Sequence, residues 1–323
     1  MTSESPLLYL TDADVAALKL DVRSVRVAVQ EAFRRYGEGI VRCEPKASIA
    51  IKPGHAFQSL TAVDTRQNYA GVKWVGMIPP GGAAKLNINA SLLLSDIQTG
   101  QLRCLMDARQ ATALRTAGMT AVAAEHLARK ESASIGFIGA GVQAEGHLLA
   151  FADLLPGLRT VLVNSVPPHT AQRFSDKARD LGFEAQAGSI EEVFRQSDVV
   201  ITTVPLVPNF EPFIEVGWVR PGMFVAAVDL GRSWKHAGLS DIDVTIVDEE
   251  AMKQYAKPGN FIPPLDYAHG TLADLVSGRH PGRSSDQERI MLFSSGSAVA
   301  DLAIAILIYE RAVATGIGTT LPL

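Results

Sequence analysis

The chain has 323 residues, 47% of them hydrophobic and 20% charged, with a formal charge of −4 at neutral pH. This is an ordinary soluble globular composition, long enough for about two domains, and its scattered basic residues leave no footprint for nucleic acid or an anionic membrane. Residues 1–12 are polar and lack the basic and apolar regions of a secretory signal, and the longest apolar run, 298–308, is too short for a membrane span and is interrupted by Asp301.

Residues 11–38 read as largely helical, with Thr11 or Asp12 as the first cap and Val15, Leu18, Val22, Val25, Val29 and Phe33 on one face. Between 46 and 106 the pattern turns to alternating and β-branched runs, at 47–51, 57–63, 71–77, 90–96 and 102–106. Pro79-Pro80-Gly81-Gly82 and Thr99-Gly100 punctuate them, which predicts a mostly antiparallel sheet. An alanine-rich helix follows over 108–130 and carries Arg115-Thr116-Ala117-Gly118. From 134 to 250 strands alternate with helices: strands at 135–138, 160–164, 199–203, 223–228 and 244–247, helices at 143–155, 169–182 and 190–196. That alternation predicts a parallel, doubly wound sheet. After Lys257-Pro258-Gly259 and Pro263-Pro264 comes a loop-rich stretch, then an apolar helix over 297–315. This last helix is expected to fold back onto the N-terminal part, because an apolar sheet face needs a cover.

Cys43 and Cys104 are far apart and in no CxxC pair, as expected of reduced thiols in a cytoplasmic protein. No Cys/His grouping has metal-ligand spacing, so no metal is expected. The segment Ser134-Ile135-Gly136-Phe137-Ile138-Gly139-Ala140-Gly141-Val142-Gln143-Ala144 is the most informative. A short apolar run ends in Gly-x-Gly-x-x-Ala and a helix follows at once, the context a dinucleotide fingerprint requires. Gly139 would make the tight turn, Gly141 would let backbone approach a pyrophosphate at the helix N-terminus, and Ala144 would let helix pack on strand. A plain tight turn is the competing reading.

The chain resembles the ornithine cyclodeaminase/mu-crystallin family over nearly its whole length. The resemblance rests on Gly71-Val72-Lys73-Trp74, Ala113-Leu114-Arg115-Thr116-Ala117, Ile138 to Ala144, Ser197-Asp198-Val199-Val200-Ile201-Thr202-Thr203, Val228-Asp229-Leu230-Gly231, Pro281-Gly282-Arg283 and Tyr309-Glu310-Arg311-Ala312, in that order. It implies an α/β fold in which a Rossmann doubly wound parallel sheet, 116–296, is inserted in a split α+β domain, 1–115 with 297–323, for substrate binding and dimerisation. It also implies a homodimer, NAD or NADP as cofactor, and hydride transfer at the carbon bearing an amino or imino group. Lys73 to Gly76 and Ile317-Gly318-Thr319-Thr320-Leu321 are similar to a branch that includes the diaminopropionate-pathway dehydrogenase of siderophore synthesis.

The chemistry needs a cation for the substrate carboxylate, a group to manage the proton on nitrogen, and a nicotinamide over the α-carbon. Arg115 suits the carboxylate, since guanidinium is a fixed bidentate donor, although a solvent-facing helix arginine reads the same way. Lys73, within an apolar strand, is either buried with a lowered pKa and catalytic, or on an exposed strand face. Asp229 follows an apolar strand and either holds an amine or activates water, or caps the Gly231 turn. By the resemblance, Lys46, Lys73 and Arg115 bind substrate, and Lys73 and Asp229 are catalytic. The cofactor residues are Thr116, Gly139, Gly141, Val142, Gln143, Asn164, Ser165, Thr203, Val204, Asp229, Leu230 and Ser297. Asn164 and Ser165 are neutral where an acid would select NAD and an arginine NADP, so both forms remain open.

Departures from the family pattern bear on the substrate. Residues 50–63 contain no acid, and Gln58 is the nearest polar candidate. The glutamate expected there receives the second amine of ornithine through a charge-assisted bond of roughly 1.5–3 kcal/mol. Ala300-Asp301 stands where two acids are usual, and His269-Gly270-Thr271-Leu272 where Glu-Leu-Gly is common; both are expected near the active-site rim. The leading expectation is an imine reductase or secondary-amine amino-acid dehydrogenase. An ornithine-type cyclodeaminase and a crystallin-like NAD(P)-binding protein without turnover are the alternatives.

Overall fold

The computed structural model describes residues 6–52, 54–78, 88–205, 210–257 and 261–322. The Pro79-Pro80-Gly81-Gly82 and Pro258-Gly259 breaks lie outside these residues. In chain order the elements are β1 (Leu7–Leu10), α1 (Asp12–Ala17), α2 (Val22–Gly37), β2 (Val41–Cys43), β3 (Ala47–Lys52), β4 (His55–Asp64), β5 (Tyr69–Met77), β6 (Ile88–Asp96), β7 (Leu102–Asp107) and α3 (Arg109–Leu127). Then come β8 (Ser134–Ile138), α4 (Val142–Leu154), β9 (Thr160–Asn164), α5 (Pro168–Asp180), β10 (Glu184–Ala187), α6 (Ile190–Gln196), β11 (Val199–Thr202), β12 (Phe224–Ala227) and β13 (Val244–Val247). The chain closes with β14 (Gly270–Thr271), α7 (Leu272–Val276), β15 (Ile290–Phe293), α8 (Ala298–Thr315) and β16 (Thr319–Leu321). It divides into two compact units, Met1–Thr116 with Ser297–Leu323, and Ala117–Gly296, the first boundary falling within α3.

The first unit is built on a sheet of order β16-β1-β7-β6-β5-β4-β2, with β3 paired to β4. Its pairings are antiparallel except for β1 with β7. The helix α8 crosses β4, β5 and β6 and packs on α2. Gly71 makes room for the crossing, because a Cβ there would lie 3.0 Å from Leu302 Cδ1. Farther along, Tyr69 and Tyr309 meet edge to face with centroids 5.9 Å apart. Every residue from Ala298 to Ile306 is buried, so the first half of α8 is enclosed on all sides, while its last turns carry exposed Glu310 and Arg311. The helix expected over 11–38 is instead two. Thr11 caps α1 in a capping box with Asp14, Lys19 adopts a left-handed φ of 47°, and Asp21 caps α2 by accepting from Ser24 N. The apolar spacing survives this break, which is why periodicity alone reads straight through it.

The second unit is a parallel sheet of order β10-β9-β8-β11-β12-β15-β13-β14. Strands β8, β9, β11, β12 and β13 are buried on both faces, as crossover helices on either side of a parallel sheet require. From β8 the chain winds outward through β9 and β10, then returns to β11 on the other side of β8. The gap between the ends of β8 and β11 is therefore the switch point where open α/β sheets bind ligands. Strand β15, absent from the sequence-based expectation, sits between β12 and β13. Ile290-Met291-Leu292-Phe293 is a bare four-residue apolar run with no alternation, and nothing in its pattern distinguishes it from a loop anchor. Among the described residues no helix is long and apolar enough to cross a membrane.

Candidate active site

In the first unit, strand alternation turns Lys73 and Val75 inward while Trp74 is 48% exposed on the opposite face. The cross-strand neighbours of Lys73 are Leu60 and Leu92, so an ammonium group stands on an apolar floor. Its partner comes from α8: Lys73 Nζ donates to Asp301 Oδ1 at 2.6 Å, and both side chains are 2% exposed. Arg115 on α3 reaches the same oxygen, with Nε 3.0 Å from Asp301 Oδ1. Two cations thus approach one carboxylate in a buried setting, an arrangement that receives a further anion more readily than a further cation. Burial drives the Lys73 pKa down to about 7, and the charge of Arg115 and, more weakly, Lys46 push the same way. The charge and hydrogen bond of Asp301 oppose the fall without cancelling it. Lys46, partly buried just ahead of β3, joins this group through its charge. The solvent-facing alternatives for Lys73 and Arg115 are set aside by their burial.

Asp301 was expected at a rim; it is instead the buried centre of this cluster. Its sequence signal is that of a lone acid inside the otherwise apolar run 298–308, where a charge needs a cationic partner. Ser297 caps α8, its Oγ accepting from Val299 N at 3.0 Å, and Thr116 Oγ1 donates to the Thr112 carbonyl at 2.7 Å.

In the second unit, β8 delivers Gly139 with φ of 102°, a conformation L side chains rarely adopt. A Cβ at Gly139 would lie 2.7 Å from Thr203 Oγ1 and 2.9 Å from the Thr203 carbonyl oxygen. Gly139 and Thr203 therefore meet at the switch point between β8 and β11. Gly141 has open space around it and N-caps α4 without a side-chain hydrogen bond. A diphosphate fits this cradle: the chain can approach closely, and no side chain competes for the helix N-terminus. Val142 beyond it is 69% exposed. Gln143 gives its carbonyl to His147 Nδ1 at 2.7 Å, and the other ring nitrogen of His147 meets Thr120 Oγ1 at 2.9 Å. Burial lowers the His147 pKa to about 4, so this imidazole is neutral and ties α4 to α3. His147 carried no motif that singled it out. At the end of β9, Asn164 Nδ2 donates to the Gly188 carbonyl at 2.8 Å and Ser165 Oγ accepts from Thr170 Oγ1 at 2.8 Å.

Asp229 lies just beyond β12 and is 4% exposed. Its Oδ2 accepts from Ser233 Oγ at 2.6 Å and its Oδ1 from Thr202 Oγ1 at 3.0 Å. The Gly231 N–H reaches Oδ1 at 3.3 Å, so Asp229 does secure its own turn, in which Leu230 has φ of 62°. Burial raises its pKa, while the bonds from Ser233 and Thr202 and the charge of Arg232 hold it down. Val204 closes this end through its backbone, which also favours the ionised carboxylate. A turn cap alone needs neither two hydroxyl partners nor this depth.

The chain is similar to known proteins over nearly its whole length. Over 326 residues the chain is 30% identical to the alanine dehydrogenase of Archaeoglobus fulgidus, covering 97% of each protein. The structure of Thermococcus litoralis Δ1-pyrroline-2-carboxylate reductase, in complex with NADH and L-proline, superposes with a TM-score of 0.87 at 28% identity, over 97% of this chain and 99% of that one. An archaeal alanine dehydrogenase dimer with bound NAD gives a TM-score of 0.86 at 27% identity, over 98% and 99%. The family match itself spans residues 8–316. This chain belongs to the ornithine cyclodeaminase/mu-crystallin family.

Proposed function

We propose that the protein is an NAD(H)-dependent oxidoreductase that interconverts an imino acid and an amino acid at the α-carbon. The observation that carries the reading is the buried convergence of Lys73 and Arg115 on Asp301, with Lys46 nearby, a cationic lining that favours one more negative charge. A substrate carboxylate supplies that charge, and the planar guanidinium of Arg115 binds it with fixed geometry. Lys73, poised near neutral pH, donates a proton to the substrate nitrogen during reduction and takes one back during oxidation. Apolar Leu60 and Leu92 keep water from the ammonium. Asp229, oriented by Thr202 and Ser233, serves as the second acid–base group for the nitrogen.

Gly139, Gly141, Val142 and Gln143 hold the diphosphate of the dinucleotide, with Thr203 and Val204 beside them. Asn164 and Ser165 face the ribose end, and Thr116, Leu230 and Ser297 complete the cofactor set. The bound nicotinamide supplies or accepts the hydride. NAD(H) is the form found with the similar structures, and the neutral pair at the ribose end leaves NADP(H) usable. The first unit serves substrate binding and dimerisation, the second the cofactor. Trp74, stacked on Phe57 with centroids 5.6 Å apart, and Tyr9, 36% exposed, give the sheet an apolar outer aspect suited to a homodimer. The archaeal alanine dehydrogenase is such a dimer. A cytoplasmic location accords with the dinucleotide chemistry.

The test is a panel of cyclic imines, 2-oxo acids with ammonia, and L-amino acids including ornithine, following NAD(P)H and free ammonia together. Net change in reduced cofactor is expected with an imine or its amino acid. Ammonia release from ornithine without net cofactor change would replace the reading by a cyclodeaminase. Cofactor binding with no turnover on any substrate would leave a crystallin-like binding protein.

A further inference from the structure

Reduction of an imine consumes a proton as well as a hydride, and Lys73 is one of the two groups proposed above to manage it. The geometry around Lys73 points to how it is loaded. Its charged neighbours are Arg115 from α3, Asp301 from α8 and Lys46 ahead of β3, and its direct cross-strand partners on β4 and β6 are Leu60 and Leu92. Nζ donates to Asp301 Oδ1 while Arg115 Nε lies 3.0 Å from the same oxygen as an ion pair, and the other oxygen, Oδ2, is buried with no hydrogen-bond partner among the described residues.

We infer that substrate binding itself protonates Lys73, with Asp301 as the positioning residue that couples the substrate carboxylate to the lysine. The inference rests on Arg115 being the carboxylate clamp. Before binding, the charges of Arg115 and Lys46 work against the ammonium form of Lys73, while Asp301 favours it. A substrate carboxylate that engages Arg115 offsets that repulsion. Asp301 Oδ1 is then left to Lys73, and the ammonium form becomes the stable one. The site takes one proton from solvent as the substrate enters. That proton passes to the imine nitrogen as hydride arrives at the carbon: one C–H and one N–H bond form, the C=N π bond is lost, the nicotinamide is oxidised, and Lys73 is left neutral.

Isothermal titration of the full-length protein saturated with NADH, using pyrrole-2-carboxylate as a flat carboxylate that cannot be reduced, reads the proton directly. The binding enthalpy is compared in two buffers of different ionisation enthalpy near pH 7.5. With an empty-site pKa of about 7, wild type should take up about 0.7 proton per site. Lys73→Met should bind with no uptake. Asp301→Asn should show less than half the wild-type uptake, because the substrate carboxylate then only replaces the negative charge that Asp301 supplied. A purely structural role for Asp301 would change affinity and leave the proton count intact. Wild-type binding without uptake, or equal uptake in Lys73→Met, overturns the inference while the oxidoreductase reading stands. Failure of the wild type to bind the carboxylate, together with no turnover of any imine or amino acid, overturns both. Circular dichroism and NADH affinity of each variant establish that it is folded.

Discussion

Gly139 and Gly141, two positions apart, should fail in different ways, and the difference tests the cofactor cradle. At Gly139 an alanine must hold φ near 102°, which costs about 1–2 kcal/mol for an L residue. Its Cβ would also sit 2.7 Å from Thr203 Oγ1 and 2.9 Å from the Thr203 carbonyl oxygen. The hydroxyl can rotate but the carbonyl belongs to the backbone following β11, so overpacking adds about 1–3 kcal/mol. Gly139→Ala should therefore destabilise the second unit by about 2–5 kcal/mol, a fall in Tm of roughly 5–15 °C. Gly141 has an ordinary φ of −93° and nothing within 4 Å of a built Cβ. Gly141→Ala should cost only about 0.5–1 kcal/mol, the difference between glycine and alanine at an N-cap. It should nevertheless weaken NADH at least tenfold, because the methyl group occupies the space the diphosphate needs. Thermal unfolding by circular dichroism and NADH titration by fluorescence on both variants give the answer. If Gly141→Ala binds NADH normally, the diphosphate lies elsewhere; if Gly139→Ala melts with wild type, the contact with Thr203 is not a real constraint.

Lys73→Met should alter the pH dependence of stability. A lysine whose folded pKa is about 7 against about 10.5 unfolded binds fewer protons in the native state between those values, so its contribution to stability rises with pH across that window. Urea unfolding should show wild type gaining about 3 kcal/mol more than Lys73→Met between about pH 7 and pH 9.5; parallel curves would show that the buried ammonium is not depressed. Arg115→Ala should raise the KM for the amino or imino acid at least a hundredfold with little change in NADH affinity, and equal loss of both would remove Arg115 from the carboxylate. Asp229→Asn should lower kcat about a hundredfold or more while NADH affinity stays within threefold, and an unchanged kcat would reduce Asp229 to a turn cap.

The local parts of this protein were legible in the residues themselves. The tight turn at Gly139, the cap-and-helix start at Gly141 and the alternating runs of β4 to β7 are set by neighbours a few positions apart, and they formed where the pattern placed them. So did the return of α8 onto the N-terminal sheet, which follows from an apolar face needing cover. Where local signals were absent or balanced, reading failed: Lys19 bent one apolar stripe into two helices, and four apolar residues at Ile290–Phe293 became a central strand. The site depended most on tertiary structure. Lys73 and Asp301 lie 228 positions apart and Arg115 approaches the same oxygen from a third element. The family resemblance singled out Lys73 and Arg115 but left their exposure open, and Asp301 stood out only as a departure expected at the rim. Desolvation and shared charge, which give Lys73 its proton affinity, exist only once β5, α3 and α8 have packed, because both depend on the distance between groups and on the exclusion of water between them.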